Sequence, residues 1–226
     1  MRFPYRVTIM DKLFKELDEW LKVLDKQVIS LRTNQHIFWE VQKIIRGNPK
    51  IDKPNDFYGW MAEMYAHAMS VAIRKMIDKN RSTISFQKFL EKLKANPSVI
   101  SRSRYKHQFV DYNYMERDAD EGFDQIVGIG RDHLDPALVT QQLETLENKT
   151  AKLRDFVNKR IAHHEKSEFN DLPTFKELDE AIACLEDLLK FYLPLFTGLG
   201  LDSALPKWLY DWKEVFYCAW IEQAQE

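Results

Sequence analysis

The stretch DPALVTQQLETLENKTAKLRDFVNKRI, Asp135 to Ile161, decides the fold. Val139, Leu143, Leu146, Thr150, Leu153, Val157 and Ile161 recur at three- and four-residue steps and keep one face of an ideal helix for about six turns. Its start is marked by chemistry: Asp135 offers a side-chain oxygen to the unpaired amides of the first turn, and Pro136 follows where a missing N–H costs nothing. A stripe of this length needs partners with the same periodicity, and the rest of the chain supplies them.

Upstream, from Thr8, the residues Ile9, Leu13, Leu17, Trp20, Leu21, Leu24, Val28 and Leu31 form one apolar stripe. Thr33 or Asn34 is placed to cap a continuation carrying Ile37, Phe38, Val41, Ile44 and Ile45, which Gly47-Asn48-Pro49 stops. Asp56 is a candidate cap for a helix to about Lys79, with Phe57, Trp60, Met61, Met64, Ala68, Val71, Ala72 and Met76 predicted to point inward. Ser85 opens a shorter helix with Phe86, Phe89, Leu90 and Leu93, ended by Asn96-Pro97. Downstream, Thr174 with Glu177 is a capping-box pattern leading into Leu178, Ile182, Leu185, Leu188, Leu189 and Tyr192, with Leu193-Pro194 and Gly198 to Gly200 as the stop. A closing helix is predicted from about Ala204 to Gln223, presenting Trp208, Leu209, Trp212, Val215, Phe216, Ala219 and Trp220. Between 101 and 135 apolar residues thin out and Gly122, Gly128 and Gly130 interrupt, so a long loop with short helical pieces is expected. No strand or internal repeat is visible.

The reading is an all-α bundle of about six to seven helices forming one domain over residues 1–226. Hydrophobic residues at 45%, charged residues at 30% and only 7 glycines fit a folded helical protein and exclude a disordered or collagen-like chain. A net charge of -2 leaves no global basic footprint, so any binding to nucleic acid requires a local patch. Cys184 and Cys218 fall in apolar helical patterns and read as free thiols in a reducing compartment. Met1 to Phe14 has no continuous apolar core and nothing later is long and apolar enough to span a bilayer, so a cytoplasmic location away from membranes is expected.

Chemistry concentrates at the end of the opening stretch, in LRDFVNKRIAHHE, Leu153 to Glu165. Imidazole changes charge near neutral pH and guanidinium grips phosphate oxygens through a planar fork, so together these groups suit work on a phosphodiester. On an ideal helix Asp155, Lys159 and His163 share one stripe and Arg160 with His164 a second beside it. The competing reading is a solvated basic face at a helix C-terminus. His67, Arg74 and Asp78 share a face of an earlier helix and read as a structural ion pair continuing an apolar stripe. Arg102, Arg104, Tyr105 and Lys106, with His107, Tyr112 and Tyr114, mix bases and aromatics as a single-stranded RNA grip would, or as an ordinary surface loop. Asp118, Asp120, Glu121 and Asp124 do not match a calcium loop because Gly122 is misplaced, and no zinc-ligand spacing occurs, so no metal and no cofactor is expected.

The segment Asn158-Lys159-Arg160-Ile161-Ala162-His163, at the end of a long helix, resembles the signature of HEPN domains: an Arg, a polar residue often Asn, and a His four to six positions beyond the Arg. Phe57-Tyr58-Gly59-Trp60, Ile73-Arg74-Lys75 with Asp78, Ser85 leading into Leu90, and Trp212 with Phe216 extend the resemblance to an AbiU-like branch associated with phage abortive infection. The resemblance implies an all-helical homodimer in which two motif helices face a cleft. It further implies a metal-independent endoribonuclease acting on RNA in a defence or toxin role, with an antitoxin as partner. His163 would be the acid-base residue, Asn158 would orient the phosphate or the imidazole, and Arg160 or Arg154 would supply positive charge, with Lys159 and His164 as further RNA contacts. At the position before Asn158, where the family arginine would stand, this chain has Val157. Arg154 is nine residues from His163, nearly opposite it on an ideal helix. A non-cleaving helical interaction or RNA-binding module is the alternative reading.

Overall fold

Helix α1, Ile9–Arg46, is the longest element of the computed structural model, which describes residues 8–109, 116–161 and 172–218. Thr8 opens it with a reciprocal capping box: the Thr8 hydroxyl accepts from the Asp11 amide at 3.1 Å and the Asp11 carboxylate accepts from the Thr8 amide at 3.0 Å. The helix runs through Thr33 and Asn34 without the predicted break. Leu31, Gln35 and Phe38 keep one buried face across that point, and with the N–H ladder continuous there is no orphan amide for Asn34 to cap.

Helix α2, Asp56–Met76, begins one residue later than its cap, Asn55, whose side chain accepts from the Phe57 amide at 2.8 Å. Its second half is buried through Met69, Ile73 and Met76. The first half differs from expectation: Phe57, Trp60 and Met64 are 54%, 56% and 41% exposed rather than inward. The fully buried residues of α2 all lie in its later turns, whereas in its first half Tyr65 reaches α7 through the Phe175 ring, with centroids 6.0 Å apart.

Helix α3, Phe86–Ala95, capped by Ser85, buries Phe86, Phe89, Leu90 and Leu93 against α6, Pro136–Phe156. Asp135 caps α6 as predicted, accepting from the Ala137 amide at 2.8 Å. The span from 101 to 135 holds two short helices, α4 (Arg102–His107) and α5 (Glu116–Val127), as the helical pieces of the expected loop. Ala119, Phe123 and Val127 form a buried i,i+4 stripe. Gly122 is no breaker there: a Cβ on it would come within 3.1 Å of the Tyr105 hydroxyl, so its lack of a side chain lets α4 lie against α5.

Helix α7, Phe175–Thr197, starts with the Thr174/Glu177 capping box and runs through Pro194 to end at Gly198, whose φ of 71° only glycine adopts freely. Together α1, α2, α3, α6 and α7 enclose a core of Leu17, Leu21, Leu24, Ile73, Phe89, Leu146, Leu153, Leu185, Leu189 and Tyr192, each at most 1% exposed. Burial of each such side chain stabilises the fold by about 1.5–3 kcal/mol. Polar ties fix the helix order at the surface of that core: Arg32 to Glu186 at 2.9 Å, Trp39 to Asp179 at 3.1 Å, and Lys152 to Glu177 at 3.0 Å.

The predicted closing helix is absent from residues 204–218. Only a short 3₁₀ turn, Glu214–Tyr217, forms, and Leu209 is 98% exposed. Side chains hold the segment instead: Trp208 and Trp212 meet the His36 ring with centroids 6.1 and 6.2 Å away, and Lys213 pairs with Glu40. Anchoring by separated side chains replaces the backbone ladder that the apolar spacing suggests. Among the described residues there are seven α-helices and no strand, and no helix is long and apolar enough to cross a membrane.

Candidate functional site

Helix α6 does not carry its α-geometry into the motif. After Phe156 the backbone widens into a π turn, Val157–Ile161, in which hydrogen bonds reach five residues rather than four. Phe156 and Val157, 6% and 7% exposed, are buried, while Asn158 is exposed. The ideal-helix projection that sets Arg154 opposite position 163 therefore does not hold through this turn.

Asn158 has a partner from a distant part of the chain. The Arg74 Nε, in the last turn of α2, donates to Asn158 Oδ1 at 3.2 Å, and Arg74 Nη1 lies 3.4 Å from Asp78 Oδ1 one helical turn on. His67, two turns earlier on the same face of α2, packs its ring on Phe156 with centroids 5.8 Å apart. The face formed by His67, Arg74 and Asp78, read from sequence as structural, thus lies along the motif segment. Arg74, Asp78, Lys79, Glu147, Thr150 and Arg154 line a cleft of about 190 Å³ beside it. Lys79 bridges to Glu147, and that contact holds the Glu147 carboxyl below the usual carboxylate range. Arg154 Nε meets the neighbouring Asp155 at 3.1 Å.

Of the residues expected to do chemistry, Asn158 and Arg154 are brought to one place around Arg74, and Lys159 follows Asn158 in the π turn. His163 and His164 lie outside the described residues, as does the side chain of Arg160, whose backbone belongs to the π turn.

The basic and aromatic group expected to grip RNA sits elsewhere, on α4, and makes contacts within the chain. Arg102 donates to the Asp120 carboxylate at 3.3 Å and to the Arg131 carbonyl at 2.8 and 3.1 Å, pairs with Asp124, and lies 4.9 Å above the Phe123 ring. Lys106 reaches Asp120 at 2.9 Å. Arg104 donates to Asp11 at 2.9 Å and covers the Phe14 ring at 4.6 Å, and Tyr105 is 7% exposed. The acidic residues of α5 are the counter-ions of α4: Lys106 and then Arg102 draw the Asp120 carboxyl below its usual range, and Arg102 does the same to Asp124. Among the described residues no three His, Cys, Asp or Glu side chains are grouped to hold a metal ion.

Sequence reasoning missed the tie between Arg74 and Asn158, which are 84 residues apart. The available signal was the shared face of His67, Arg74 and Asp78, taken alone.

A family model described as AbiU2, of the HEPN type, matches residues 14–213. No curated protein and no solved structure matches the chain. The family match spans nearly all of the helical core, including α2, α6 and the π turn that follows α6, and the chain belongs to the HEPN AbiU2 family.

Proposed function

We propose that this chain is an RNA-targeting protein of the HEPN type, working as a homodimer in phage defence or a toxin system and cleaving RNA without a metal. The observation that carries the reading is the coincidence of the π turn with the motif: the one departure from α-geometry in the described part of α6 and its extension falls on Asn158-Lys159-Arg160. Such turns recur at functional sites because they re-aim side chains at a cost in backbone energy.

In this reading the His163 imidazole takes the proton of an RNA 2′-hydroxyl, the freed oxygen attacks the adjacent phosphorus to form a 2′,3′-cyclic phosphate, and the bond from phosphorus to the 5′-oxygen breaks as that oxygen takes up a proton and leaves as a hydroxyl. A positioned imidazole supplies proton transfer, and fixed cations meet the charge that grows on the phosphoryl oxygens. Asn158 orients the phosphate, Arg154 or Arg160 supplies charge, and Lys159 and His164 hold the neighbouring backbone. Dependence on the 2′-hydroxyl makes RNA the substrate rather than DNA. An antitoxin partner fits the same role.

The test uses the purified chain and His163→Ala incubated with single-stranded RNA in EDTA. Products from the parent and none from the variant are expected; equal products, or none from either, remove the catalytic assignment. A second reading, a non-cleaving RNA-binding or interaction module, is favoured by one observation: Val157 stands where the family arginine is expected and is buried, so that position itself offers no cation.

A further inference from the structure

We infer that Arg74, delivered from α2, is the guanidinium that meets the RNA phosphate at Asn158, replacing the charge that Val157 lacks; this rests on the RNA-targeting reading above. Three observations lead there.

The first is placement. Arg74 touches the motif directly, through Nε to Asn158 Oδ1 at 3.2 Å, whereas Arg154 at the end of α6 turns its Nε to Asp155. A guanidinium arriving from another helix supplies positive charge at the motif without needing a place in its sequence.

The second is unused donor capacity. A guanidinium carries five N–H donors in a planar fork. On Arg102 all three nitrogens donate to carboxylates and carbonyls. Arg74 has one neutral acceptor, the Asn158 amide, and one carboxylate, Asp78, at 3.4 Å. That separation exceeds the roughly 2.7–2.9 Å of a strong charge-assisted bond. Nη2 and part of Nη1 are left for a ligand, and the side chain is 27% exposed, open enough to be reached and restricted enough to be aimed. Because Asn158 presents its oxygen to Arg74, its two amide hydrogens are directed elsewhere. Guanidinium and amide therefore form adjoining donors for two oxygens of one phosphate.

The third is the surroundings. The cleft beside Arg74 also receives Arg154 and Lys79, and its carboxylates, Asp78 and Glu147, each face a cation. An incoming phosphate meets no unpaired negative charge among these residues. Asp78 would hold the Arg74 fork from behind, as a positioning residue.

The experiment measures binding of the full chain to a 2′-O-methylated single-stranded RNA, which is bound without being cut, over a range of salt concentrations. Each phosphate contact on a single strand contributes about 0.7 to the slope of log K against log salt. Arg74→Gln is expected to flatten the slope by about 0.7, and Arg74→Lys to retain it while slowing cleavage of unmodified RNA, since a point charge lacks the fork. Arg74→Met keeps the aliphatic stem and is the second neutral variant should Arg74→Gln fold poorly. A purely structural clasp between α2 and the π turn predicts lowered melting temperatures with the parent's slope in both neutral variants; that result overturns the inference and leaves the RNA reading intact. A parent chain that shows no salt-dependent RNA binding removes both.

Discussion

Replacing Glu186 by Ala should destabilise the chain by about 2–4 kcal/mol, and the figure follows from what its two oxygens hold. One lies 2.9 Å from Arg32 Nε, an ion pair without the alignment of a full hydrogen bond; the other accepts from the Ala204 amide at 2.8 Å and the Ser203 hydroxyl at 3.3 Å. The Glu186 side chain is 8% exposed and Ala204 is 3% exposed, so water cannot replace the carboxylate at that amide. An orphaned buried amide costs about 1–3 kcal/mol. An unpaired buried charge costs roughly 3–5 kcal/mol. Arg32 is 27% exposed and also meets Gln35, so its share falls to about 1 kcal/mol once solvent screening is allowed for. Urea unfolding followed by circular dichroism should move the midpoint at constant slope. The melting temperature should fall by about 4–16 °C for a chain of this size. Glu186→Gln and Arg32→Met, singly and together, should show a coupling of at least about 0.5 kcal/mol. A Glu186→Ala variant within about 0.5 kcal/mol of the parent, or strict additivity in the cycle, would refute the reasoning that this carboxylate joins α1, α7 and the segment after α7.

Glu40 is held at a pKa of about 2 by hydrogen bonds first from Lys213 and then from Lys43. Its folded value is depressed, so the tie to the C-terminal segment is present above the ordinary carboxylate range, near about 4.3, and is lost as pH falls through about 2. An acid titration of tryptophan fluorescence should show a step below pH 3 that Glu40→Gln lacks; a step centred near the ordinary value would contradict the pairing. Gly198→Ala forces a φ of 71° on a residue with a Cβ and sets that atom 3.1 Å from the Phe109 ring. The backbone cost alone is about 1–2 kcal/mol, so a melting temperature several degrees lower is expected, and an unchanged one would mean that α7 ends differently.

Helix starts were legible because capping is local chemistry: Thr8, Ser85, Asp135 and Thr174 each bond an amide two or three residues away. The bounds of α4 and α5 were not, since the glycine that seems to break α5 is needed by Tyr105, a residue of another helix. The segment from Trp208 to Phe216 has helical spacing but is held by His36 and Glu40 on α1, and spacing alone carries no information about such anchors. Phe57 and Trp60 have the residue types of a core and stand where no described helix covers them. At the candidate site, Asn158 and Arg154 were readable as members of a motif, whereas the approach of Arg74 depends on how α2 crosses α6. The π turn was invisible because the apolar spacing of Leu153, Val157 and Ile161 is that of a continuous α-helix.

That turn gives the chain an unusual sensitivity to length. In an exposed loop one residue more or fewer is absorbed by slack, but one inserted between Phe156 and Asn158 would rotate the Asn158 side chain by about 100° relative to α6 and away from Arg74. Aim at this point is set by a residue count, like the offset between two scales of a vernier. Related chains should therefore tolerate changes of identity here far better than insertions or deletions.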